Sequence, residues 1–94
     1  MEIQISESSG KGIVFMSDGK RNLAEMTWVK GGDDYIIVDH TTVDDSLRGQ
    51  GAGRKLLDRI VQLARERNLK IQPLCPFVVA TFNKVEEIRD VLYE

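Results

Sequence analysis

A glycine-rich segment with basic flanks lies at the centre of the sequence, directly before its most regular helical pattern. It reads Arg48-Gly49-Gln50-Gly51-Ala52-Gly53 and continues with Arg54 and Lys55. The first amides of a helix have no partner inside the helix, and the helix dipole places partial positive charge beside them. Glycines leave such amides accessible, and basic side chains attract anions. The segment therefore predicts a phosphate-binding turn.

The spacing of the glycines separates this segment from two well-known phosphate loops. A G-x-G-x-x-G loop would need a third glycine where Arg54 stands, and a G-x-x-x-x-G-K-[ST] loop is absent. The pattern present is R-x-x-G-x-G, beginning at Arg48. A simple tight turn between a strand and a helix is the alternative interpretation.

Two other side chains are candidates for catalysis. Cys75 directly precedes Pro76, so we expect it at a helix N-terminus, where the thiolate is favoured and could carry an acyl group. An inert core cysteine is the alternative. His40 could act as a general base toward an amine or toward the Cys75 thiol, or it could be structural or merely exposed. Asp39 should alternate with His40 and point the other way.

The elements that must position these residues follow from the hydrophobic pattern. Residues 1–6, 13–17, 22–30 and 35–43 alternate or are rich in β-branched residues, which predicts four antiparallel strands. A helix should begin near residue 51 and end at Asn68, with an apolar face formed by Leu56, Leu57, Ile60, Leu63 and Ala64. Residues 69–74 should form a fifth strand, and residues 75–94 one or two helices with Pro76 at the first helical position.

Together these elements predict an α/β fold in one domain spanning residues 1–94. Its four-stranded antiparallel meander is followed by a βαβ crossover to a parallel fifth strand and then by C-terminal helix or helices. The chain has 94 residues, a net charge of −2, one cysteine and one histidine. These values argue against a nucleic-acid binder, an internal disulfide and a zinc site. No signal peptide or membrane span is indicated, so we expect a cytoplasmic protein.

The R-x-x-G-x-G pattern resembles the pyrophosphate loop of the GNAT superfamily of acetyl-CoA-dependent N-acetyltransferases. The run Thr41-Thr42-Val43 resembles the strand-end L-x-V of that family, and the order of helix, strand and helix downstream also agrees. The resemblance implies that amides of residues 48–54 hold the pyrophosphate of acetyl-CoA and that the pantetheine arm runs between strands four and five. The amide of Val43 or a neighbour would face the thioester carbonyl. Phe77 and Phe82 would line the pantetheine or adenine end, or pack in the core.

The sequence also departs from the family pattern. The family carries one or two helices between its first two strands, where this chain has only residues 6–12, and it has two more strands after the last helix, where this chain ends at Glu94. The tyrosine that serves as general acid in the family corresponds to Phe82, and phenyl cannot donate a proton.

These comparisons lead to two functional expectations. The first is an acetyltransferase that transfers acetyl from acetyl-CoA to an unidentified small or protein amine, with Cys75 as a candidate acyl carrier. The alternative is a non-catalytic acyl-CoA-binding module that needs a partner or lacks an acceptor site. A module for small anions or nucleotides is a third and less favoured interpretation. We expect no metal, nucleic acid or membrane as partners.

Overall fold

A computed structural model describes all residues, 1–94. The five strands are β1 (Ile3–Ser8), β2 (Lys11–Ser17), β3 (Asn22–Lys30), β4 (Tyr35–Val43) and β5 (Lys70–Pro73). The two α-helices are α1 (Ala52–Arg67) and α2 (Pro76–Lys84), and 3-10 turns span Asp45–Leu47 and Glu86–Val91. The predicted bounds of β3 and β4 match the structure, while β1 and β2 extend further toward each other and leave only residues 9–10 between them.

The five strands form one sheet in the order β1-β2-β3-β4-β5. The first four pair antiparallel as a meander, and β5 pairs parallel to β4 after the crossover through α1. This arrangement confirms the predicted fold class. In the turn before β3, the Asp18 carboxylate accepts from the amides of Lys20 and Arg21. These hydrogen bonds satisfy backbone amides in a turn that contains few backbone–backbone hydrogen bonds.

Helix α1 covers one face of the sheet because one side of it is apolar. Its buried residues include the five predicted core positions: Leu56, Leu57, Ile60, Leu63 and Ala64. The helix begins after Gly51 and ends at Asn68, whose left-handed backbone (φ 57°) forms the predicted C-cap. On the sheet, the side chains that face α1 are buried, and Trp28 lies so close to Gly12 that a Cβ there would be 2.1 Å from the indole ring.

The second helix and the last 3-10 turn complete the same core. Val78, Phe82, Ile88 and Val91 join the residues of α1 and the sheet in one cluster of buried hydrophobic side chains. Pro76 occupies the start of α2 as predicted. The opposite face of the sheet is not covered by any element, and its side chains, such as Phe15 on β2, are only half-buried. The molecule therefore has two layers.

Candidate functional site

Strand β5 is short, and only the first part of β4 pairs with it. Their parallel register runs from Tyr35 opposite Lys70 to Val38 opposite Pro73. Beyond it, the amides of Leu74 and Cys75 both point at the Val38 carbonyl, at 3.0 and 3.4 Å. The rest of β4, residues 39–43, has no partner on this side. The edge of β4 beyond Val38 is therefore unpaired, and we call the space between this edge and the start of α2 the gap.

A β-bulge at Asp39 changes how the end of β4 is presented. Thr27 of β3 pairs with His40, whereas the next residue, Trp28, pairs with Val38, so Asp39 is the extra residue. The Asp39 carboxylate accepts a hydrogen bond from the Thr27 hydroxyl at 2.7 Å. Asp39 and His40 thus lie on the same, uncovered face of the sheet. The prediction that they point in opposite directions was wrong, because alternation is interrupted at a bulge.

The backbone beyond the bulge directs two amides toward the gap. Asp44 donates its N–H to Leu23 of β3. Alternate residues of a strand direct their backbone groups to the same side, so Thr42 also faces β3 while Thr41 and Val43 face the open edge. The sequence indicated the amide of Val43 or a neighbour for this role. Thr41 is the first residue of the same Thr41-Thr42-Val43 run, but the sequence indicated no role for its side chain.

The segment between β4 and α1 is a compact turn built on Asp44. Its carboxylate accepts from the Ser46 amide at 3.0 Å and caps the 3-10 turn. Hydrogen bonds from Ser46, together with the charge of Arg21, hold the pKa of Asp44 below its usual value of 3.8. Gly49 (φ 78°) and Gly51 (φ 71°) both have left-handed backbones, and a Cβ on either would meet open space. Glycine is needed at these two positions for conformation.

Five backbone amides of this turn donate to no protein acceptor. They belong to Gly49, Gly51, Ala52, Gly53 and Arg54, whereas Gln50 donates to the Leu47 carbonyl. Gly51 is the N-cap of α1 and offers no side-chain cap. The first amides of a helix find their acceptors outside the helix, in side chains, water or a ligand. The turn can therefore receive an anion with several N–H groups at the positive end of α1.

The basic side chains around the turn are partly neutralised. Arg48 pairs with Asp45 at 2.9 Å, and Arg54 pairs with Asp58 at 2.8 Å. Lys55 is exposed and takes part in no ion pair. The free positive charge beside the turn is therefore smaller than the sequence suggests, and Lys55 carries the unpaired part of it.

Cys75 lies at the N-cap of α2, on the helix side of the gap. It is 8% exposed, and its Sγ lies 3.3 Å from the Thr41 hydroxyl oxygen. His40 is exposed on the other face of β4 and makes no side-chain hydrogen bond to the thiol. The structure does not bring His40 and Cys75 together, because neighbouring residues of a strand project to opposite faces and Thr41 takes the position facing the thiol.

The two predicted aromatic residues have different surroundings. Phe77 is 41% exposed and packs against Gly53 beside the glycine turn. Phe82 is 2% exposed and belongs to the core, which favours the packing alternative for this ring. No group of three or more His, Cys, Asp or Glu side chains could hold a metal ion. Neither helix combines the length and apolar character that a membrane-crossing helix requires.

Comparison with known proteins agrees with this architecture. The sequence model of the GCN5-related N-acetyl-transferase family matches residues 13–91. The solution structure of a GCN5-like protein from Staphylococcus aureus is 37% identical and superposes with a TM-score of 0.73, covering 96% of this chain and 87% of that one. No curated protein sequence matches the chain.

More distant structures share the fold alone. The ribosomal-protein-S18-alanine N-acetyltransferase from Escherichia coli is 14% identical with a TM-score of 0.67, covering 83% of this chain and 53% of that one. A streptothricin acetyltransferase-like protein from Bacillus anthracis str. Ames was solved with acetyl coenzyme A. It is 20% identical with a TM-score of 0.62, and the match covers 82% of this chain and 46% of that one. The chain thus spans about half the length of these two. By its family match and its likeness to the Staphylococcus aureus protein, the chain belongs to the GCN5-related N-acetyltransferase family.

Proposed function

We propose that this protein binds acetyl-CoA through residues 48–54 and transfers the acetyl group to an amine. The observation that carries the proposal is the set of five partnerless amides at the start of α1, directly beside the unpaired edge of β4. A pyrophosphate matches the amides in charge and in its number of acceptor oxygens. The extended pantetheine arm carries amide groups that suit an unpaired strand edge.

The reacting end of the donor would lie where the edge of β4 passes Cys75. Acetyl-CoA supplies an activated acetyl thioester. The N–H groups of Thr41 and Val43 face the gap, and preorganised donors of this kind stabilise negative charge that develops on a carbonyl oxygen. Cys75 lies on the helix side of the same edge, within contact of Thr41. The arrangement supports transfer of the acetyl group to the Cys75 sulfur as a first step.

The position of His40 on the uncovered face supports a role in a different step, the transfer of the acetyl group to the amine. An amine that approached from that face would meet the imidazole before it met the thiol. We assign His40 the role of general base toward the acceptor amine, not toward Cys75. His40→Gln should slow the consumption of an amine while it leaves acetylation of Cys75 at the wild-type rate. Loss of Cys75 acetylation in this variant would contradict the assignment.

A non-catalytic acyl-CoA-binding module remains a second candidate, favoured by two observations. Phe82 fills the position of the family's proton-donating tyrosine and is buried. The depression on the uncovered sheet face, lined by Asp39, Thr27 and Ile13, is also open to solvent and does not enclose an acceptor. For such a module, acetyl-CoA would bind and no acetyl group would be left on the protein or on any amine.

Native mass spectrometry with acetyl-CoA, followed by denaturation of the same sample, separates these functions. Cys75→Ala is the matched variant, because it removes the thiol and keeps a small side chain at the N-cap. We expect a non-covalent complex in both proteins and a residual acetyl group only in the wild type. A complex without residual acetyl in either protein would leave direct transfer or simple binding, which a panel of amines then distinguishes. The absence of any complex would overturn the proposal.

A further inference from the structure

The thiol of Cys75 is oriented by Thr41 and not by its own helix. A side chain at an N-cap usually accepts hydrogen bonds from the second or third amide of the helix. Cys75 makes no such bond, and the amides of Phe77 and Val78 donate to no protein acceptor. The thiol points instead across the gap to the Thr41 hydroxyl at 3.3 Å. The side chain on β4 therefore selects the orientation of the sulfur.

This contact matters because the other side chains around the sulfur are mainly apolar. Cys75 is part of the buried hydrophobic cluster. The charged residues nearest to Cys75 along the chain, Lys70 and Lys84, are exposed, and so are Asp39 and His40 on β4. None of these side chains bonds to the sulfur. Thr41 is the one residue whose side chain forms a hydrogen bond with the thiol. A hydroxyl can reverse its role, accepting from S–H and donating to S⁻.

We propose that Thr41 is a positioning residue that holds the Cys75 thiol at the open edge of β4 and stabilises its thiolate. This inference rests on the proposed function. In acyl transfer, the Cys75 sulfur bonds to the acyl carbon, the carbon–sulfur bond of the thioester breaks, and the proton lost by the thiol ends on the departing coenzyme A sulfur. Thr41 keeps its own proton throughout and donates a hydrogen bond to the sulfur while that sulfur is negatively charged.

The test compares Thr41→Val, which keeps the shape and removes the hydroxyl, with Thr41→Ser, which keeps the hydroxyl. The first measurement is the rate of Cys75 alkylation by iodoacetamide as a function of pH, with Cys75→Ala as the blank. Because a hydrogen bond to a charged group is lost, Thr41→Val should react about tenfold more slowly at neutral pH. Its rate profile should move to higher pH, and Thr41→Ser should follow the wild type.

A profile that Thr41→Val leaves unchanged would overturn the inference, and so would faster alkylation, which would mean that Thr41 only shields the sulfur. Urea unfolding of each variant checks that the fold is retained. If Thr41→Val does not fold, the same pH profile of Thr41→Ala decides the question.

The second measurement separates this inference from the proposed function. Calorimetry gives the acetyl-CoA concentration that saturates each protein, and at saturation the acetylation of Cys75 should slow only in Thr41→Val. Wild-type protein that binds acetyl-CoA and never acetylates Cys75 would overturn the covalent route and the role of Thr41 with it. Wild-type protein that becomes acetylated at the same rate as Thr41→Val would overturn the role of Thr41 alone.

Discussion

The ring of Phe77 packs directly on the backbone of Gly53, so that a Cβ on residue 53 would lie 2.9 Å from Cζ of the ring. Gly53 has an ordinary helical backbone, unlike Gly49 and Gly51. The third glycine of the turn therefore makes room for α2 against α1, whereas the sequence suggested that all the glycines give access to a phosphate. Through this contact, α2 is packed against the first turn of α1.

A double-mutant cycle tests the contact between residues 53 and 77. Alanine is a better helix former than glycine by up to about 1 kcal/mol. Gly53→Ala should therefore stabilise the protein in a Phe77→Ala background, where the ring is absent. With Phe77 present, that gain should be cancelled or reversed, because the ring must move. Urea unfolding of the four proteins measures the coupling, and equal effects of Gly53→Ala in both backgrounds would show that the ring adapts without cost.

Gly51→Ala should change the direction of the first amides of α1 and thereby weaken acetyl-CoA binding. A left-handed backbone costs a non-glycine residue about 1 kcal/mol, so the variant should also lose stability by that amount. If one charge-assisted hydrogen bond is lost, the dissociation constant should rise at least about tenfold. Calorimetry measures the affinity.

Gly10→Ala is the matched control for this variant. Gly10 has a similar backbone (φ 79°) in the turn between β1 and β2, at the other end of the sheet, and its Cβ would make only an ordinary contact at 3.7 Å. We expect the same loss of stability and no change in affinity. Equal affinities of the Gly51→Ala and Gly10→Ala proteins would remove the glycine turn from the binding site.

Asp45→Asn should tighten the binding of acetyl-CoA. The Asp45 carboxylate pairs with Arg48 and lies in the turn that would receive the pyrophosphate, so it repels the ligand and occupies the guanidinium. Its neutralisation should lower the dissociation constant about two- to fivefold at low salt, and the two proteins should converge as salt screens the charges. Asp33→Asn, which breaks the exposed pair with Lys30 at the far end, is the control. Weaker binding of Asp45→Asn would mean that Asp45 holds Arg48 in a productive position.

The ion pair between Glu7 and Arg67 should make stability depend on pH. Arg67 donates to both Glu7 oxygens, at 2.6 and 2.9 Å, and these hydrogen bonds hold the pKa of Glu7 below its usual value of 4.5. Because the pKa is lower in the folded state, the pair stabilises the fold above the unfolded-state value and stops doing so as the pH falls through the folded-state value.

Glu7→Gln measures this contribution. Both side chains are partly exposed, so the variant should be less stable by only about 0.5–1 kcal/mol at pH 7. The difference should vanish in acid, where Glu7 is protonated in both states. Urea unfolding at neutral and acid pH gives the comparison, with Glu2→Gln as a control outside any ion pair. A difference in the free energy of unfolding that persists in acid would show that the effect comes from packing and not from the ion pair.

The residues around β4 show which parts of the candidate site cannot be predicted from local sequence patterns. The sequence indicated Val43 and the glycine turn, because a strand-end motif and a glycine spacing are readable from neighbouring residues. It did not indicate the contact between the Thr41 hydroxyl and the Cys75 thiol, which lies 34 residues later in the chain. It also suggested a His40–Cys75 pair that the structure does not form. The side to which a strand residue points depends on the bulge at Asp39, which is defined only by the pairing of β4 with β3.

The sequence by itself determined the order of the strands and helices, the bounds of β3 and β4, the C-cap of α1 and the position of the glycine turn. These properties depend on hydrophobic periodicity and on the backbone preferences of glycine, proline and asparagine, all of which act over a few residues. Only the tertiary structure decided which side chains meet at the gap and that Gly53 accommodates Phe77. Such contacts join segments distant in the chain, and they form only when strand register and helix packing bring those segments together.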